Sequence, residues 1–184
     1  QGGGINLNFA TLNIFNSTVS NNSAPSNGGG IKNDIGTANA VNTIVSGNFA
    51  PSSPDLAGSL TAASTNNLIG GNAGLLPLGN YGGTTPTHAL LPTSDAVNGG
   101  SNCVVTLNCS AANPSFALTS DQRGRGRDAR VDIGAYEMVN LSVTKTADTN
   151  DGVCDADCSL REAIAAAASG DTISFASLLF DTPQ

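Results

Sequence analysis

Hydrophobic and polar positions alternate in short runs over the first part of the chain, and the runs repeat. The segments Thr-Leu-Asn-Ile at 11–14 and Asn-Thr-Ile-Val at 42–45 are short, partly alternating and rich in β-branched residues, which is typical of strands. The run Gly-Gly-Gly-Ile at 2–5 returns at 28–31, an offset of 26 residues. A degenerate third copy follows over 64–71. This period and these short strands predict a β-solenoid rather than a leucine-rich or helical repeat.

Each repeat unit is predicted to form one coil of a parallel β-helix, with about three short strands separated by turns. Each strand would pair with its copy one coil away, at a spacing of about 4.8 Å. The offset places Asn16 over Asn42 and Asn22 over Asn48, so we expect these turn amides to stack as hydrogen-bonded ladders. Turn geometry explains these residues without a ligand. Because a solenoid needs about three or more repeats and a cap, we expect further coils upstream in a longer protein.

Composition supports an ordered chain that lacks an ordinary globular core. Hydrophobic residues make up 39% of the sequence, which argues against disorder, but only 4% is aromatic and 11% charged. The formal net charge of -7 argues against nucleic acid or an anionic membrane surface as a partner, because both need a basic patch. No stretch approaches the roughly 20 apolar residues of a membrane-spanning helix.

The four cysteines lie in two close pairs, Cys103 with Cys109 and Cys154 with Cys158. An even number in an acidic, Asn-rich chain favours two local disulfides formed in an oxidising compartment. A zinc site is the alternative, but neither pair has CxxC spacing, and the one histidine, His88, is remote.

Beyond residue 72 the repeat stops, and three motifs carry a resemblance to a known family. The chain resembles the C-terminal end of bacterial right-handed parallel β-helix proteins of the choice-of-anchor Q type over about 72–137. It departs from that family at 95–98, Asp-Ala-Val-Asn, where a Pro and an Asp are usual. The resemblance implies that 1–71 are the last coils of a right-handed β-helix and that 72–138 form an irregular C-terminal cap. The three motifs are Gly-Asn-Tyr-Gly-Gly-Thr-Thr-Pro-Thr-His-Ala-Leu-Leu-Pro at 79–92, Asp-Gln-Arg-Gly at 121–124 and Asp-Ile-Gly-Ala-Tyr-Glu at 132–137.

Charged side chains in this segment are predicted to hold the cap together. Asp121, Arg123, Asp132 and Glu137 can form charge-assisted pairs, and Arg suits bidentate contacts. The run Arg-Gly-Arg-Gly-Arg at 123–127 has only three positive charges among acidic neighbours, so cap pairing is favoured over phosphate binding.

His88 has the chemistry of a general base and stands beside an apolar run. No paired nucleophile or orienting acid is evident near it in the sequence, so a structural role is favoured.

A second module is predicted over 139–184. Residues 141–148 alternate as a strand does, and the hexapeptide Cys-Ser-Leu-Arg-Glu-Ala at 158–163 resembles the CSLREA domain, which precedes β-helices in bacterial surface proteins. The resemblance implies an incomplete N-terminal cap of a following β-helix. Independently of it, Ser159 and Glu162 form the pattern of a helix capping box.

The residues after the capping box predict one short amphipathic helix. Leu160, Ala163, Ile164 and Ala167 fall at helical spacing, and Gly170 stands where the helix would end. Lying across a first coil, this helix would shield the apolar end of a solenoid and its unpaired strand edge.

Calcium is a candidate ligand of the second module. The oxygen-bearing side chains of Asp148, Asn150, Asp151 and Asp155 lie close together in the sequence, but their spacing is not that of an EF-hand loop. No cofactor is predicted besides this open alternative, and no residue is assigned as a metal ligand.

These observations predict a structural or adhesive module of a large secreted bacterial surface protein. Its partner would be an extracellular polysaccharide or the surface of a host or neighbouring cell. A polysaccharide lyase or glycoside hydrolase is the alternative, by analogy of fold. The coils over 1–71 carry only Asp34, Asp55 and Lys32 as charged groups, out of repeat register, so no catalytic residue is assigned.

Overall fold

The structure is a computed structural model, and it describes residues 2–168, 170–177 and 179. Within these ranges the chain is mostly β, with parallel sheets and two short helices. It divides into two compact units, Gln1–Glu137 and Met138–Gln184, which are considered separately below. The elements of the first unit are β1 (Ile5–Phe15), β2 (Thr18–Val19), β3 (Ile31–Val41), β4 (Ile44–Val45), β5 (Leu56–Ala57), β6 (Leu68–Ile69) and α1 (Cys103–Thr106).

Two parallel sheets stack successive repeat units on one another in the first unit. One sheet has the order β1-β3-β5, and its register pairs Ile5 with Ile31 and Ile31 with Leu56. The other has the order β2-β4-β6, and Ile44 pairs with Thr18 on one side and Leu68 on the other. Repeat-related residues are therefore strand neighbours, which confirms the predicted parallel pairing and is consistent with a β-helix-like arrangement.

The prediction of about three strands in each repeat unit is wrong in detail. Each of the first two units contributes one strand of 11 residues and one of two residues. A third region pairs only through isolated parallel bridges, such as Ser23 with Phe49 and Asn27 with Ser52. Pro and Ser-rich sequence in this region, at 50–54, limits the strand to single bridges because proline has no amide hydrogen to donate.

Small residues allow the coils of the first unit to approach closely. Its core contains Leu7, Ile31, Ala38 and Val45, with no aromatic side chain among the buried members. A Cβ atom added to Gly29 would lie 2.4 Å from the carbonyl oxygen of Phe49. The middle glycine of each repeated triplet is therefore needed for close backbone approach between coils, a different reason from the turn conformation expected from the sequence.

The segment that follows the coils, residues 72–137, is largely irregular. Antiparallel bridges join Leu75 to Leu90 and Gly79 to Thr87. The short helix α1, which the sequence pattern did not predict, buries Val104 against Val41 of β3 and Val131. We call residues 72–137 the closing segment because it packs onto the turns of the coils.

The second unit contains β7 (Asn140–Val143), α2 (Leu160–Ala166) and β8 (Thr172–Phe175). β7 and β8 pair in parallel, with Leu141 opposite Ile173. Leu141, Val143 and Ala163 form its buried core together with the Cys158 half of a disulfide. None of the helices in the described part of the chain is long and apolar enough to cross a membrane.

The capping box of α2 is formed in the structure. The hydroxyl of Ser159 accepts a hydrogen bond from the backbone amide of Glu162 at 3.2 Å, and the amide of Ser159 donates to Glu162 Oε2 at 2.7 Å. The helix ends earlier than its sequence suggests. Ala167 is the extended C-cap residue, and Gly170, at a φ of 91°, lies three residues beyond it.

Candidate functional site

The first candidate site is a row of three asparagines at equivalent turns of successive coils. Asn16, Asn42 and Asn66 have φ angles of 38°, 53° and 53°, in the left-handed region that asparagine tolerates. The side-chain amide of Asn42 donates to Oδ1 of Asn16 at 3.1 Å. We call these three residues the turn ladder.

The turn ladder also binds the closing segment. Asn16 Nδ2 donates to the carbonyl oxygen of Asp132 at 2.9 Å, and Asn66 Nδ2 donates to that of Gly99 at 2.8 Å. Asn42 donates to the carbonyl of Ser101 at 2.9 Å and accepts from its amide at 2.8 Å. The side-chain amides of the ladder are thus committed to structural contacts.

Sequence reasoning did not include Asn66 in the ladder, although it recognised a third repeat there. The third unit is shorter, because Ile44 pairs with Leu68 at an offset of 24 rather than 26 residues. Applying the offset of 24 to Asn42 would have found Asn66.

A second row of stacked polar groups involves Asn22, Asn48 and Asp55. Asn22 Nδ2 donates to Asn48 Oδ1 at 3.0 Å, and Asn48 Nδ2 donates to Asp55 Oδ1 at 2.9 Å. The same carboxylate oxygen of Asp55 accepts from the backbone amide of Asn48 at 2.9 Å. Asp55, one of two acids in the coils, therefore ends this ladder as an acceptor. The other acid, Asp34, pairs with Lys32 at 2.9 Å.

Two buried ion pairs hold the closing segment. Arg123 Nε lies 2.8 Å from Asp121 Oδ2, and Arg127 Nη1 lies 2.7 Å from Glu137 Oε2. All four side chains are at most 2% exposed. Asp132, predicted to join such a pair, instead accepts a hydrogen bond on Oδ1 from the amide of Asn98 at 2.6 Å.

Arg123 also lies over an aromatic ring. Its guanidinium carbon is 3.6 Å from the ring centroid of Tyr136, and Tyr81 packs edge-on against that ring at 6.3 Å between centroids. Arg123 Nη2 donates to the carbonyl oxygen of Glu137. A guanidinium that is buried and occupied in this way is part of the packing of the closing segment.

Burial raises the pKa of Glu137 to about 7, and the nearby Asp132 carboxylate acts in the same direction. Backbone hydrogen bonds from Asp132 and Asp128, and the charge of Arg127, oppose this rise in pKa. The carboxyl group is fully buried, so the cost of removing its negative charge from water dominates.

His88 lies in a cavity of about 400 Å³ where the closing segment meets the turns of the coils. Its Nδ1 is 2.7 Å from the carbonyl oxygen of Leu76, and its Nε2 is 3.5 Å from Nδ2 of Asn21. Besides Asn21, the cavity is lined by Ser20, Ser46 and Asn72. His88 therefore has an orienting partner that its sequence neighbours did not reveal, and that partner is a backbone carbonyl.

The two disulfides predicted from the sequence are present in the structure. Cys103 joins Cys109 beside α1, and Cys154 joins Cys158 before α2. No free cysteine remains among the residues that the structure describes.

The oxygen-bearing side chains considered for calcium are engaged with their own neighbours. Asp148 pairs with Arg161 through Nε at 2.8 Å and also through Nη2. Asn150, Asp151 and Asp155 each accept a backbone amide two residues further on. The described residues include no group of three or more His, Cys, Asp or Glu side chains placed to hold a metal ion.

Glu162 is the electrostatic centre of the second unit. Hydrogen bonds from the backbone amides of Ser159 and Asp151 lower its pKa to about 2, and Lys145 at 3.5 Å acts in the same direction. Lys145 also pairs with Asp157 at 3.0 Å, and this hydrogen bond raises the pKa of Lys145.

The helix α2 buries a different face from the one predicted. Ala163 is fully buried, whereas Leu160 is 44% and Ile164 60% exposed. These two side chains line an apolar groove of about 610 Å³ together with Val143 and Phe175. Within this unit the narrow alanine face makes the contacts, because Glu162 must reach back to the capping box.

Comparison of the chain with models of protein families, with curated proteins and with solved structures finds no match in any of the three.

Proposed function

We propose that this chain is a structural and adhesive module of a large secreted bacterial surface protein. In this proposal 1–71 are the last coils of a right-handed parallel β-helix, and 72–138 are an irregular cap of the choice-of-anchor Q type. The turn ladder is the observation that carries the proposal. Its buried asparagines bind the closing segment and one another, so the most regular polar groups of the coils serve assembly of a rigid solenoid.

The second unit is proposed to be an N-terminal cap of the CSLREA type over 139–184. The exposed apolar side chains of Leu160, Ile164 and Phe175 support this role. An apolar groove of this kind favours burial against another apolar surface, and the end of a β-helical coil is such a surface. Parallel pairing of β7 with β8 supports a strand arrangement onto which a coil can add.

Secretion to the cell surface is part of the proposal. The two disulfides support it because such bonds persist in oxidising compartments and are rare in the reducing cytosol. The acidic charge of the chain favours partners that are neutral or cationic, such as neutral extracellular polysaccharides.

The proposed adhesive function is tested by incubating the chain with neutral and acidic polysaccharides. Retained protein and newly released reducing ends are measured in the same samples. We expect retention on at least one polysaccharide without new reducing ends. New reducing ends would instead establish a polysaccharide-cleaving enzyme, and failure to be retained on every polysaccharide would overturn the adhesive role.

A further inference from the structure

The cavity around His88 has the composition of a small-molecule binding site. Its volume of about 400 Å³ lies within the range of roughly 300–1,000 Å³ that is usual for such sites. Polar side chains come from two consecutive coils, at Ser20, Asn21 and Ser46, and from the start of the closing segment, at Asn72 and His88. The cavity therefore exists only when the closing segment is docked on the coils.

The contact of His88 with Leu76 determines which ring nitrogen can bind a ligand. A carbonyl oxygen only accepts hydrogen bonds, so the proton of the neutral ring is on Nδ1, 2.7 Å from the oxygen of Leu76. Nε2 then presents a lone pair. Its one contact is Asn21 Nδ2 at 3.5 Å, well beyond the usual N–H donor distance of about 3.0 Å, so a better placed donor can replace it.

The remaining lining indicates a neutral ligand that has both polar and apolar faces. No Asp, Glu, Lys or Arg side chain lines the cavity. The hydroxyl, amide and imidazole groups offer donors as well as acceptors, as sugar hydroxyls require. Ala73, Leu75 and Pro77 supply an apolar wall, which suits the C–H face of a pyranose ring.

The backbone of the cavity is held in turn conformations that recur from coil to coil. Asn21, Gly47 and Gly71 have φ angles of 59°, 73° and 63°. Gly71 has no atom within 4 Å of the position that a Cβ would take, so this side of the cavity is open to a ligand. A site on such repeated turns is preorganised, which reduces the entropy cost of binding.

We infer that this cavity binds a pyranose residue of a neutral glycan. His88 Nε2 accepts a hydrogen bond from a sugar hydroxyl, and the amide of Asn21 turns from His88 to the same ligand. This inference names a binding site for the proposed adhesive function and rests on it.

The test uses the whole chain and size-defined oligosaccharides of neutral glucan, mannan, xylan and galactan. Binding is followed in two-dimensional ¹H–¹⁵N spectra that include the imidazole nitrogens of the single histidine. We expect one or more neutral oligosaccharides to shift the His88 Nε2 signal and the backbone signals of Asn21 and Gly71.

Two variants and a control locate the site. His88→Ala removes the acceptor, and Asn21→Gly removes the amide while glycine keeps the positive φ that the fold requires. Each is expected to weaken binding about tenfold, the effect of losing one buried hydrogen bond. Asn13→Ala, on the exposed face of β1 and outside the cavity, is expected to leave affinity unchanged. Unfolding midpoints of all variants identify any that have lost the fold.

Three results would overturn the inference. If neutral oligosaccharides bind and both cavity variants bind as the unchanged chain does, the site is elsewhere and the adhesive function stands. If only acidic polysaccharides are retained, adhesion stands and this site for neutral sugars is rejected. If no polysaccharide of either kind is retained, the adhesive function and the site both fail.

Discussion

Asn42 and Ser101 exchange two hydrogen bonds, from Nδ2 of Asn42 to the carbonyl of Ser101 at 2.9 Å and from the amide of Ser101 to Oδ1 of Asn42 at 2.8 Å. The side-chain amide thereby pairs with a backbone segment 59 residues away in the way that a neighbouring strand would. At the same time Asn42 donates to Asn16 in the adjacent coil. One buried side chain therefore links two coils and the closing segment.

The Asn42→Ala variant is expected to lose about 3 kcal/mol of unfolding free energy. The substitution leaves the polar groups of Ser101 and Asn16 without their partner and places alanine at a φ of 53°. Urea unfolding monitored by circular dichroism measures the loss. Asn13→Ala, which removes one exposed hydrogen bond with Asn39, is the control and is expected to cost less than about 1 kcal/mol. Equal losses in the two variants would contradict the linking role of Asn42.

Gly29→Ala is expected to disrupt the stacking of the coils. Its Cβ would lie 2.4 Å from the carbonyl oxygen of Phe49, and rigid backbone cannot yield cheaply, so we expect a loss of about 3 kcal/mol or more. Gly126→Ala is the matched control, because no atom lies within 4 Å of the added Cβ. Thermal unfolding of both variants checks the difference, and an unchanged midpoint for Gly29→Ala would refute close coil contact.

The first unit is expected to lose stability as the pH rises from about 4.5 to about 7. Burial raises the pKa of Glu137 from its ordinary 4.5 to about 7, so between these values the folded state binds more protons than the unfolded state. The contribution is complete below pH 4.5 and is lost as the pH rises through 7. Hydrogen exchange of the amides of Asp128 and Asp132, which donate to Glu137, measures it after correction for intrinsic exchange. Glu137→Gln should abolish this pH dependence.

The second unit is expected to respond to pH in the opposite direction. Backbone hydrogen bonds lower the pKa of Glu162 from 4.5 to about 2, so its contribution is complete above pH 4.5 and is lost as the pH falls towards 2. Amide exchange within α2 at a series of acidic pH values tests this. Glu162→Gln keeps a neutral capping group and should remove the pH dependence, and an unaltered acid transition in that variant would assign it to another carboxylate.

Both disulfides are expected to be detected by mass spectrometry of the unreduced chain, as Cys103 with Cys109 and Cys154 with Cys158. Their sequence separations are 6 and 4 residues, so each closes a short loop and contributes about 2 kcal/mol through the unfolded state. Reduction should lower the unfolding free energy by this amount for each bond. Four free thiols in the secreted chain would contradict the argument for an oxidising compartment.

Local and periodic features of the sequence were sufficient to predict much of the coil architecture. The offset of 26 residues predicts that Ile5 pairs with Ile31, because stacked copies of one unit share a register. The capping pattern of Ser159 and Glu162 involves residues three apart, so its formation depends on the helix alone. In both cases the contact is encoded by spacing along the chain.

The closing segment could not be derived in this way, since its contacts follow no period. Arg123 lies over Tyr136, and Asn66 reaches Gly99, 33 residues away, only after the irregular loops have packed. His88 becomes oriented towards a cavity because Leu76 presents a carbonyl to its ring. The sequence by itself determined the repeat, its strand pairing and the capping of α2, because these depend on spacing. The tertiary structure decided which polar groups of the closing segment meet and which apolar face of α2 stays exposed, because burial and partner geometry arise only when distant segments pack together.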